Sequence, residues 1–166
     1  LFRDNKNKEK KLTGSIKALL GEYKKAIDEL IRVIKPISNN QLSSIADKDT
    51  NDSECKSIQT VLTHIVSSGY SYTVYIENSN GVNSVRPVKE TFDNVNQYIE
   101  QLKAMYEYCE NFFKKFPDIE IEQTDNSKKI NVRWGQQYDI EQLLEHAIVH
   151  VLRHRRQIEN FILILQ

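Results

Sequence analysis

Of the four histidines in this 166-residue chain, three recur at steps of four: His146, His150 and His154. On a helix, side chains four residues apart lie one above the other on the same face. Two imidazoles so placed can close on one metal ion, as the two histidines of an HExxH helix do on zinc. Three cannot readily share it, because His146 and His154 stand about 12 Å apart at a rise of 1.5 Å per residue. One adjacent pair has to be chosen. The competing reading is a run of buried histidines satisfied by ordinary hydrogen bonds, or a solvated helix edge.

A helical wheel stepped from Ile140 makes that choice. Ile140, Leu144, Ala147, Val151, Ile158 and Ile162 fall in an arc centred at about 0–20°. His154 comes at about 320°, His150 at about 280° and His146 at about 240°. His154 is thus on the core face, His150 at its edge and His146 towards the polar side. Imidazoles that must meet groups from other helices belong inside, so the pair is His150 and His154. His146 stays as a secondary metal candidate. A third ligand is available in His64, which lies about 240° from Ile58, beside Ser57, Ser68, Ser71 and Tyr75. That flank faces either a polar cavity or solvent, and periodicity leaves both open. Glu145 comes at about 140° on the last-helix wheel, on the polar face. Glu77, Asp139, Glu120 and Glu122 also read as surface charge. No Ser/His/Asp order, P-loop or GxGxxG is present, so nucleotide-dependent chemistry has no support.

Four amphipathic stretches must position these side chains. Residues 13–35 repeat Ile16, Leu19, Leu20, Tyr23, Ile27, Leu30, Ile31 and Ile34 at helical steps, and Pro36 stops the pattern. A polar connection over residues 39–51 leads to a second helix at residues 54–77, with Ile58, Val61, Leu62, Ile65, Tyr72 and Ile76 on its stripe. A third covers residues 91–116 and ends at Pro117; the fourth covers residues 139–165, with Asp139 as N-cap and Gln142 as its capping-box partner. Between the last two, residues 119–122 and 130–134 alternate with period two around Asp125, Asn126 and Ser127, which predicts a short hairpin. The fold class expected is all-α, a four-helix bundle with a minor β-hairpin before the last helix, in one domain spanning residues 1–166. The link over residues 36–53 is long for neighbours in a tight hairpin, which leaves a crossover topology open.

Composition narrows the function classes. Lys plus Arg and Asp plus Glu each total 23, and a nucleic-acid binder would need a basic surplus. The 39% hydrophobic and 28% charged content is that of a globular chain. Residues 1–35 hold ten basic and five acidic side chains, residues 90–126 three and nine, so these regions could attract each other or a neighbouring chain. Lys6, Lys8, Lys10 and Lys11 read as a solvated leading segment over residues 1–12. No run is long and apolar enough for a membrane span, and none of the first residues makes a signal h-region. Leu1 stands first, so an export signal upstream of it stays open. Cys55 and Cys109 are isolated, without metal-finger spacing, and the expected location is the cytoplasm.

Several of these residues fall into a known pattern. Ser57-Ile-Gln-Thr-Val-Leu-Thr-His64 resembles the second-helix motif of the DinB/YfiT-like metalloenzymes. Trp134-Gly135 and the run from Leu143 to Ile158, with His150 and then His154-Arg-Arg-Gln157, are similar to that family's last helix and its H-x-x-x-H-R-x-Q-I ending. The opening Leu19, Leu20, Glu22 and Tyr23 agrees too. The resemblance implies a four-helix bundle holding one divalent metal through His64, His150 and His154. His146 has a frequent family counterpart that is not usually a ligand, and Arg156 stands where many members carry glycine.

Neutral imidazoles suit zinc, nickel, iron or copper better than magnesium or calcium, and zinc or nickel is expected here. Three protein ligands leave a coordination position open for water or for a low-molecular-weight thiol, so the catalytic group would be a metal-bound water or thiolate rather than a side chain. The resemblance implies thiol-dependent S-transfer, or metal-assisted hydrolysis, on a small molecule. Tyr72, Tyr75, Arg153 and Arg155 are candidates for orienting that substrate. The alternative is a non-catalytic, metal-stabilised bundle acting as a ligand-binding or dimeric interaction protein. Phe161 to Leu165 is apolar nearly all round, which predicts a homodimer that helps to bury it.

Overall fold

The computed structural model describes residue 12 and residues 14–166. The leading segment expected at residues 1–12 therefore lies, Leu12 apart, outside the described residues, as does Thr13. Four long helices appear where the periodicity places them: α1 (Gly14–Ile34), α3 (Ile58–Ser79), α4 (Val95–Lys115) and α5 (Ile140–Ile164), with a short α2 (Asn39–Ser43) after α1. Each start has a local cause. Ser57, Asn94 and Asp139 have extended backbones, and their side chains accept from the third residue of the helix that follows. Asp139 and Gln142 form the expected capping box, and Ser57 pairs with Thr60 in the same way. The second long helix thus begins at Ile58 rather than at residue 54, because residues Ser53–Cys55 are a 3₁₀ turn capped by Asp52.

The stripes bury one core. Ile16, Leu20, Tyr23, Ile27, Leu30 and Ile34 of α1 meet Leu102, Met105, Tyr106 and Phe113 of α4 and Leu144, Val151 and Ile158 of α5 in one cluster with α3. Each such side chain contributes about 1.5–3 kcal/mol when fully buried. The long helices form a ring in which α1 packs on α5 and α4, and α3 packs on the same two. Helices α1 and α3, joined by the long link, are therefore not neighbours, and the crossover arrangement is the one formed. Helix α5 runs antiparallel to α3, since His64 meets His150 while Tyr72 meets His146. Helix α4 runs parallel to α3, since Thr63 meets Tyr98 and Tyr70 meets Tyr108. Gly69 lets α3 and α4 approach closely, because a Cβ there would stand 2.0 Å from the Met105 sulfur.

A parallel neighbour requires the chain to travel back along α3, and residues 82–92 do so. Gly81, at φ +77°, closes the end of α3, with Val82 N–H donating to the Glu77 carbonyl. The strap that follows is pinned to α3 by Asn78 holding Ser84, by Arg86 reaching Ser67 and Ser71, and by Gln59 donating to the Phe92 carbonyl. Glu77 departs from its expected place on the surface. It is buried, and the Tyr108 hydroxyl from the parallel α4 donates to its carboxylate.

The hairpin before the last helix forms one step further along the chain than the alternation predicts. Its strands are β1 (Ile130–Asn131) and β2 (Gln137–Tyr138), paired antiparallel. The turn between them needs Gly135 at φ +84°. Residues 119–122 do not pair with β1. The Ile121 carbonyl instead accepts from Glu141 N–H and the Gln123 N–H donates to Asp139, so this segment docks on the first turn of α5. No helix among the described residues is long and apolar enough to cross a membrane.

Candidate metal centre

The antiparallel contact of α3 with α5 brings His64 against His150 and His154. Their ring centroids are 4.9, 5.0 and 4.5 Å apart taken pairwise, and one nitrogen from each lies within 4.8 Å of the other two. The flank of α3 that carries His64 lines a cavity open at its mouth, the first of the two alternatives that periodicity leaves open. This cavity, of about 660 Å³, is lined from α3 by His64, Ser68, Ser71, Tyr75 and Asn78.

Two of the three rings are fixed from behind. Glu54, in the 3₁₀ turn before α3, lies with Oε2 2.9 Å from His64 Nδ1. Gln157, one turn beyond His154 on α5, offers Oε1 at 2.9 Å to His154 Nδ1. Both partners are acceptors towards Nδ1, so each of those nitrogens carries its proton and Nε2 is left with a lone pair. The His64 and His150 Nε2 atoms face each other at 2.9 Å. One of these two nitrogens donates a proton across that gap, and a cation bound there would take the place of that proton. A tetrahedral ion with 2.0–2.1 Å bonds to nitrogen needs ligand nitrogens about 3.3 Å apart. The 2.9 Å pair and the 4.8 Å outer limit bracket that spacing, so the three imidazoles fit a divalent metal.

The electrostatics of the two α5 histidines favour the neutral form that ligates a cation. Burial, and then the neighbouring imidazoles of His154 and His64, push the His150 ring down to about 2. Burial also lowers His154, against an upward pull from Gln157. Lys89 from the strap, more than His64, holds the Glu54 carboxyl below the usual carboxylate range. Glu54 therefore stays ionised behind His64.

His146 stands apart from the three. Trp134 stacks on its ring at 5.4 Å, the Tyr138 hydroxyl is 3.2 Å from its Nδ1, and its centroid is 6.3 Å from that of His150. It lines the cavity wall. Tyr72 and Tyr75 line it too, Tyr72 edge-on to both His146 and His150, and Tyr75 with its hydroxyl accepting from Arg133 N–H. Arg153 and Arg155 do not. Arg153 is exposed, and Arg155 pairs with Glu29 of α1 on the other side of α5. The cations that do line the cavity are Arg86, Lys89 and Arg133.

Glu54 and these three cations have no role in the sequence reading, and Gln157 enters it only within the closing motif, not as a partner of His154. Gln157 could have been found, since it sits three residues from His154 on one helix face. Glu54, Arg86, Lys89 and Arg133 come from a turn, a strap and a hairpin, where no periodicity announces which way a side chain faces.

The model of the DinB family matches residues 6–162. No curated protein matches the sequence.

Proposed function

The chain belongs to the DinB family, and from that premise we propose that it is a metal-dependent enzyme in which His64, His150 and His154 hold one divalent ion, zinc or nickel, for thiol-dependent S-transfer on a small molecule. The observation that carries this reading is the meeting of three imidazoles from two helices, two of which, His64 and His150, line a cavity of about 660 Å³. Bound there, the ion would act as a Lewis acid that stabilises a thiolate or lowers the pKa of a water. The chain's own residues do the rest. Glu54 and Gln157 keep the His64 and His154 rings turned so that Nε2 points inward. Tyr72 and Tyr75 orient the substrate; burial raises the Tyr72 hydroxyl, which therefore stays protonated and able to donate. In the transfer, the thiol sulfur bonds to an electrophilic carbon, the leaving group departs with its electron pair, and the thiol proton passes to solvent.

S-transfer is favoured over hydrolysis by the lining of the cavity. Among the described residues Glu54 is its only carboxylate, and His64 and Lys89 already occupy it. Water attack would lack a free carboxylate base, whereas a thiolate needs none. Hydrolysis stands as the second reading because His146, kept neutral by burial, lines the same space and could accept a proton. A non-catalytic, metal-stabilised bundle is disfavoured by the three-ligand set and by the 26% exposure of the His64 side chain, since structural sites are closed by four ligands. The proposal includes a homodimer through α5, whose Leu163 and Ile164 are 69% and 63% exposed, and a cytoplasmic location for a chain with two free cysteines. A shift towards monomer in sedimentation for Leu163→Asp checks the first.

The direct test incubates the metal-loaded protein with small thiols and a chromogenic aryl halide. Turnover should require the metal and vanish in His64→Ala. Stoichiometric metal without turnover of any thiol pair would favour the non-catalytic bundle.

A further inference from the structure

The cavity carries a charge that the proposed chemistry leaves unused. Arg86 and Lys89 from the strap and Arg133 from the hairpin turn all line it, against the carboxylate of Glu54 as the one acidic group among the described residues of the lining. Lys89 and Glu54 pair with each other. Neither Arg86 nor Arg133 has a carboxylate partner among the described residues. Imidazole ligands bring no negative charge, so an ion held by them would add two further positive charges, against Glu54 behind His64 and Asp52 nearby. A cavity of that sign attracts and retains an anion.

Arg86 is aimed as well as charged. Its Nη1 donates to the Ser67 and Ser71 hydroxyls at 3.0 and 3.3 Å, which fixes the guanidinium against α3. A guanidinium has five N–H donors in a planar fork, so most remain for a ligand. Ser67 and Ser71 lie three and seven residues beyond His64, about 4.5 and 10.5 Å along the helix axis. The fork is thus one to two turns from the histidine cluster, on the same polar stripe of α3.

Resting on the metal-centre reading, we propose that the substrate or thiol cosubstrate carries a carboxylate seated by Arg86 and Arg133, while its reacting end faces His64 and His150. The seat would select acidic small molecules long enough to span about two helical turns.

The test compares 6-mercaptohexanoate with 6-mercaptohexanol, equal in length and different in charge, on the cobalt-loaded protein, where sulfur-to-metal absorption reports binding. The acid should bind at least about tenfold more tightly, the size of one charge-assisted hydrogen bond. In the Arg86→Gln, Arg133→Gln double variant that preference should shrink to within about twofold with cobalt content unchanged, while Arg32→Gln on the outer face of α1 should keep it. Equal binding of the two thiols by wild-type protein that does hold cobalt would overturn the seat and leave the metal centre standing. If the protein takes up no cobalt, the metal centre fails, and the amide resonances of Ser67 and Ser71 decide the seat. Larger shifts with the acid than with the alcohol would support it, and equal shifts would overturn it.

Discussion

The contact of α1 with α4 and the contact of α3 with α5 are made of different materials. Across the first, Tyr23 meets Tyr106 edge-on at 6.0 Å, and the Tyr106 hydroxyl donates to the Leu20 carbonyl. Across the second, three histidines face one another, and the serines and Tyr75 of α3 open onto a cavity. The first contact holds the bundle together by apolar burial. The second gives up part of that burial, and the polar groups left there are held by Glu54 and the strap from outside the pair and by Gln157 of α5. A helix pair that exchanges packing for oriented imidazoles is where a bundle of this kind can do chemistry, because the other three contacts carry the stability.

That division can be broken from either side. Leu30→Ala, at a fully buried position of α1, should cost about 2–5 kcal/mol in denaturant unfolding, with metal content per folded chain unchanged. Glu54→Gln should do the reverse, weakening metal affinity by about 10–100-fold in chelator competition with little change in the metal-free melting temperature. Gly69→Ala belongs to the packing side, although it lies on the helix that carries His64. Overlap with Met105 should cost about 1–3 kcal/mol, offset by about 1 kcal/mol of helix propensity, so a modest fall in melting temperature is expected. Lys89→Gln should be smallest, under about 1 kcal/mol in stability for a partly exposed pair, with a slight loss of metal affinity through Glu54. If Leu30→Ala strips the metal from folded protein, or Glu54→Gln unfolds it, the two contacts are not the separate devices described.

The same contrast explains what could be read from the sequence. The helices, the Asp139 cap and the His150–His154 pair follow from a 3.6-residue period acting within one element, and the geometry places that pair where the wheel puts it. His64 was ambiguous because the polar flank of α3 looks the same whether it meets water or a cavity. Only the parallel α4, and the strap it demands, turn that flank into a wall. Glu77 reads as surface charge for a related reason, since a carboxylate at the end of a polar flank gives no sign that Tyr108 will cover it. The hairpin slipped because two alternating segments were available, and the capping of α5 took residues 119–122 for its own backbone bonds. Arg86 and Arg133 were invisible for the simplest reason, that irregular segments have no period.

The central claim is that His64, His150 and His154 together hold a metal. Its most direct measurement is the divalent-metal content of protein purified without an affinity tag, beside the His150→Ala, His154→Ala double variant. About one zinc or nickel per chain in the wild type and none in the variant is the predicted result. No bound metal even after reconstitution, or metal retained by the variant, would contradict it.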